Sequence, residues 1–129
     1  KAILLIAGSA TEKLGNRISE EQEIMMNISE MIIDTYMLES ALLKTEKLVN
    51  KEGEKRHKEK IAICINYLHH TADKINKNAK EAIYAMTNGD EQTILLLALK
   101  RFTKVKAVNL KEQRRIIAKK VIEENKYCY

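Results

Sequence analysis

The 129-residue chain has no proline, no tryptophan, one phenylalanine, four glycines and two cysteines. Without proline, nothing in the chain forces a helix to kink or stop by removing a backbone donor. With so few aromatic rings, any core must be built from aliphatic side chains. Cys64 and Cys128 are far apart in sequence, which excludes a disulfide framework and points to a reducing compartment, the cytoplasm. The longest apolar run, Ala2 to Ala7, falls far short of the roughly 20 residues a membrane helix needs. It also lacks the cleavage site of a signal peptide. None of the glycines has the spacing of a phosphate-cradling loop. The chain opens on Lys1 and not Met, so a fragment of a longer protein is expected.

Helical periodicity fills the space these absences leave. Ile24, Ile28, Met31, Thr35, Leu38, Leu42 and Val49 recur at steps of three and four, apart from one full heptad before Val49, and so do Ile61, Ile65, Leu68, Ala72, Ile75, Ala79, Ile83 and Met86. Each series lays one apolar seam along a helix, and a seam that long is buried against other helices. Gly15, Gly53 and Gly89 fall where the patterns break and read as helix stops. Gly8 lies inside the first apolar segment and suggests a close backbone approach. The expected helices run from about Ala2 to Leu14, to Val49 after a Ser19–Gln22 capping box, from Glu54 to Met86, through Ile94–Leu99 after an Asp90 cap, and through Ile116–Ile122 after an Asn109–Glu112 cap. Short turns make neighbours antiparallel. The fold class is therefore all-α: an up-and-down antiparallel helical bundle of four to five helices with two long central helices, forming a single domain over residues 1–129. No strand pattern competes.

Charge is unevenly spread. Residues 1–43 carry three basic and seven acidic side chains, net −4, whereas residues 100–120 carry nine basic and one acidic, net +8. Lys111, Arg115 and Lys119 follow at four-residue steps with Arg114 alongside, opposite the apolar face of Ile116, Ile117, Val121 and Ile122. This basic amphipathic helix is the candidate docking or anionic surface: a solvated face, a face docked on protein, or a contact with an anionic membrane or nucleic acid. Phe102 is the only nearby aromatic for base stacking and no helix-turn-helix signature is present, which argues against nucleic acid.

Chemistry-bearing residues do not converge. Glu54 and His57 have the i, i+3 spacing of carboxylate-bridged di-iron bundles, but such a site needs two of these pairs and two further glutamates. A solvated helix start is the simpler account of this pair. His69 and His70 are adjacent and point to different faces, and His69 pairs at best with Asp73 one turn on. Cys64 reads as a small residue at or near the core. No catalytic, cofactor-binding or metal residue is assigned.

The stretch Ile28-Ser29-Glu30-Met31-Ile32-Ile33-Asp34-Thr35-Tyr36-Met37-Leu38-Glu39-Ser40-Ala41-Leu42 resembles the extra C-terminal helical region of bacterial acyl-CoA dehydrogenases of the very-long-chain type. Its hairpin partner would be Lys60 to Leu68, continuing through Thr71 to Ile75. The segment Leu99–Lys104 and the ending Glu124–Tyr129 are also similar to bacterial members. The resemblance implies a parent flavoprotein that oxidises a fatty acyl-CoA to the trans-2-enoyl-CoA. A glutamate takes the α-proton and FAD the β-hydride, and both belong to an upstream core. No stretch of this chain matches the flavin-binding or catalytic segments. By resemblance the fragment is a non-catalytic appendage that packs on the dehydrogenase core, covers the face used elsewhere for tetramer formation, or contacts a membrane, within a homo-oligomeric parent. The alternative from the residues alone is an independent helical adaptor that uses its basic face on nucleic acid or anionic membrane.

Overall fold

The computed structural model describes residues 1–126; Tyr127, Cys128 and Tyr129 lie outside the described residues, and with them half of the ending matched above. The described residues are all-α, with five α-helices: α1 (Ala2–Leu14), α2 (Gln22–Glu52), α3 (Lys58–Met86), α4 (Gly89–Phe102) and α5 (Leu110–Glu124). The two expected long helices are present, α2 with 31 residues and α3 with 29. Chain contacts divide the molecule into two compact units. The first comprises residues 1–35 and 71–105, the second residues 36–70 and the described residues from 106 onward.

The first unit holds the main core. Ile6 and Ala10 of α1, Ile24, Ile28 and Met31 of α2, Ala79, Ala82 and Ile83 of α3, and Leu95 and Leu99 of α4 bury together. These are the inward positions of four amphipathic helices, and the small alanines of α3 let its neighbours approach closely. A polar pair of contacts sets the α2–α3 register in this unit. Asn78, buried, donates from Nδ2 to Glu30 Oε2 at 2.9 Å, and Lys74 Nζ lies 3.0 Å from Asp34 Oδ2. Stepping down one helix and up the other, these contacts make α2 and α3 antiparallel. On α4, Thr103 accepts from Asn76 Nδ2 at 2.8 Å and itself donates to the Leu99 carbonyl at the helix end.

The second unit is more lightly packed. Ala62 and Cys64 of α3 are buried, and the Cys64 thiol lies 3.2 Å from the equally buried Thr45 hydroxyl of α2. That places Cys64 at the core, as its position beside the seam suggested. No residue of α5 is buried.

Several local expectations are corrected. The Ser19–Gln22 capping box does not form: residues Gly15–Ser19 wind into a 3₁₀ turn in which Ser19 Oγ donates to the Asn16 carbonyl at 3.4 Å. α2 begins only at Gln22, so Ser19 stays within the preceding turn and does not occupy the helix cap. α2 runs on to Glu52, past the expected end at Val49, and Gly53 then turns the chain at φ +88°, a conformation that a side chain would strain. Glu54–His57 is a 3₁₀ turn, so α3 proper starts at Lys58 and not Glu54. Asp90 lies within the first turn of α4 instead of capping it; Asn88 holds the cap position, without a side-chain hydrogen bond. Gly8 is exposed, and a Cβ there would meet nothing within 4 Å, so it permits no close helix approach. The Asn109 cap is as read: its side chain accepts from the Glu112 N–H at 3.4 Å.

Met31 and Met26 lie on opposite sides of α2, at 0% and 62% exposure. Met31→Ala should cost about 2–5 kcal/mol through lost burial and a residual cavity, whereas Met26→Ala should stay within about 0.5 kcal/mol. Urea denaturation of the 129-residue chain followed by circular dichroism tests this; equal losses would show that the core is misassigned.

Candidate functional site

Lys111, Arg114, Arg115 and Lys119 all project from α5 as exposed side chains. Helix formation here follows from the Asn109 cap and the long straight-chain residues behind it, which lose little rotamer freedom in a helix. Lys119 pairs loosely with Glu123 one turn on, at 3.7 Å. Lys120 and Glu124 meet at 2.8 Å. Lys111, Arg114 and Arg115 form no ion pair among the described residues, leaving a row of uncompensated charge. The aliphatic residues of α5 are not buried: Ile116 and Val121 are exposed, and Ile122, 76% exposed, lies one heptad after Arg115 on the basic side and not opposite it. A helix that shows both a basic and an aliphatic face to solvent offers two kinds of contact to a partner and no reaction chemistry.

The second unit also contains an open apolar groove of about 420 Å³ between α2 and α3, lined by Leu38, Leu42, Val49, Ile61, Ile65 and Leu68, with the buried Thr45 and Cys64 and the carboxylates Glu46 and Glu54 completing the lining. The seam reading places Leu42 and Leu68 in sealed contacts; both are instead exposed and line this open groove.

The Glu54–His57 pair behaves differently from its sequence reading. His57 is buried, and its Nε2 lies 3.3 Å from Glu52 Oε2, an oxygen that Arg56 Nε also approaches at 3.3 Å. The solvated helix start therefore holds for Glu54 but not for His57, whose ring tucks under the α2–α3 turn. His69 and Asp73 form no ion pair among the described residues. Nowhere among them do three His, Cys, Asp or Glu side chains converge as a metal would require. What the sequence did not disclose is the extent of outward apolar surface: Met25, Met26, Ile32 and Ile33 on α2 and Ile94 and Leu97 on α4 are all exposed. The same periodicity that marks a core-facing stripe marks these positions too.

The Glu124 carboxyl is held below its ordinary value of 4.5 by the Lys120 hydrogen bond and charge. A carboxyl lowered in the folded state favours the helix end above the ordinary value, and that contribution is lost as pH falls through the lowered one. NMR titration should place Glu124 below 4.5, and Lys120→Met should raise it. An unmoved midpoint in the variant would count against the pair.

Comparison with known proteins brings these surfaces into context. The family profile described as "Acyl-CoA dehydrogenase, C-terminal domain" matches residues 1–101. A "Probable acyl-CoA dehydrogenase" of Bacillus subtilis (strain 168) is 33% identical over 127 residues, which is 98% of this chain and 21% of that protein. A crystal structure of an acyl-CoA dehydrogenase complexed with FAD from Bacillus anthracis superposes with a TM-score of 0.95 at 32% identity, covering 99% of this chain and 22% of that one. The chain thus spans about a fifth of the length of these relatives.

Proposed function

Because this chain belongs to the family of acyl-CoA dehydrogenase C-terminal domains, we propose that it is the non-catalytic helical end of a longer, FAD-dependent acyl-CoA dehydrogenase of the very-long-chain type. In this reading the parent oxidises a fatty acyl-CoA to the trans-2-enoyl-CoA in the cytoplasm, as a homo-oligomer, and this domain serves docking or assembly. The observation that carries it is the near-complete superposition on one fifth of a flavin-bound dehydrogenase.

The residues present do not fit a flavin. Gly8, Gly15, Gly53 and Gly89 lie too far apart to form the glycine-rich loop that cradles a pyrophosphate. The α2–α3 groove is aliphatic, with few groups to hydrogen-bond a flavin ring. No chemical step is therefore assigned to this chain. The protein encoded by the full reading frame should purify with stoichiometric flavin and oxidise acyl-CoA, while the 129-residue chain alone should bind none. Flavin bound by the chain alone would overturn the appendage reading.

A second role is favoured by the exposure of both faces of α5. Lys111, Arg114, Arg115 and Lys119, with Ile122 beside them, suit peripheral contact with an anionic membrane. No described helix is long and apolar enough to cross one. Each basic side chain near such a surface contributes about 1 kcal/mol. Arg115→Glu should then weaken binding to vesicles containing anionic lipid about fivefold or more. Sedimentation with anionic and neutral vesicles tests this; equal binding to both would remove the membrane role. Salt-sensitive binding to DNA in place of vesicles would favour the adaptor alternative.

A further inference from the structure

The outward face of α2 in the first unit is built from Gln22, Met25, Met26, Ser29, Ile32 and Ile33, at steps of three and four. Met26 and Ile33 are 62% and 60% exposed, and Met25 and Ile32 are exposed beside them. No charged residue interrupts these positions. The one hydroxyl among them already has its proton engaged, since Ser29 Oγ donates to the Met25 carbonyl at 2.8 Å. A partner therefore meets a face that is almost wholly apolar, with a small residue at its middle where a helix could approach closely. Patches of this kind mark interaction sites, and depletion of charge with enrichment of methionine is the composition of an interface core.

We propose that this face of α2, and not the basic helix α5, is the seam by which the domain docks on the dehydrogenase core of a longer chain; the proposal rests on the reading above and names its surface. Three observations select that occupant. About four fifths of the relatives' length lies outside this segment, so a large intramolecular partner is at hand. The family profile spans residues 1–101, which includes the α2 face and ends before α5. Finally, permanent contacts are more hydrophobic than transient ones, and the α2 face is charge-free where α5 is strongly basic.

The test uses the holoenzyme encoded by the full reading frame, with Cys64→Ser and Cys128→Ser as background. Met26→Cys, Ile33→Cys and Arg115→Cys are each introduced, and reaction with a maleimide is timed. Met26→Cys and Ile33→Cys should react about tenfold or more slowly than Arg115→Cys, because a covered thiol waits for local opening. Comparable rates at all three would overturn the proposal while leaving a flavin-bound parent intact. Protection that disappears on dilution to separate protomers would also overturn it, since a second copy would then be the cover. A reading frame without a dehydrogenase core would instead defeat the functional reading and the seam together.

Discussion

The pairing of α2 with α3 is the constraint on which the rest depends. Each is long enough to contribute to both compact units, so each must present a buried stripe twice over. In the first unit the stripe is closed by α1 and α4, and Ile6, Met31, Ile83 and Leu99 are sealed from solvent. Apolar contacts are tolerant of small slips between helices. The Glu30–Asn78 and Asp34–Lys74 contacts are not, because a shift of one residue would leave a buried amide and a half-buried carboxylate without partners. Register is thus chosen by polar groups, while the hydrophobic effect supplies the driving force.

Function follows from where that pairing leaves surface uncovered. The four-helix core of the first unit uses one side of α2 and leaves Met26 and Ile33 outward. In the second unit α5 buries none of its residues, so its cations and its isoleucines face solvent together. Neither arrangement assembles an acid, a base and a substrate pocket. Both leave surface open for the docking role proposed above. The partner proposed for that role, the rest of a dehydrogenase, rests on the resemblance of the whole fold to about one fifth of a flavin-bound dehydrogenase.

Helix identity was legible in the residues because it depends on spacing within one segment. α1 begins and ends at Ala2 and Leu14 as read, α3 ends at Met86, and Asn109 caps α5. The two misread caps share one cause. Ser19 and Asp90 are competent caps by residue type, yet which backbone group a short polar side chain reaches is settled by the path of the turn around it. The basic candidates on α5 were also legible, since a charged row at four-residue steps is a local property. The α2 face was not singled out, because its methionines and isoleucines have the same chemistry as the core stripe.

The sequence by itself determined a bundle of four to five helices, their aliphatic character and the asymmetry of charge, because each of these is a matter of composition or of short-range spacing. Only the tertiary structure decided which apolar residues are core and which are surface. Met26 and Met31 are the same residue type on one helix, five positions apart, and one is open where the other is sealed. His57 was likewise turned inward by the fold of its turn. The physical reason is that burial depends on which neighbours a side chain faces, and a helix carrying apolar residues on two sides cannot announce which of them its own domain will cover.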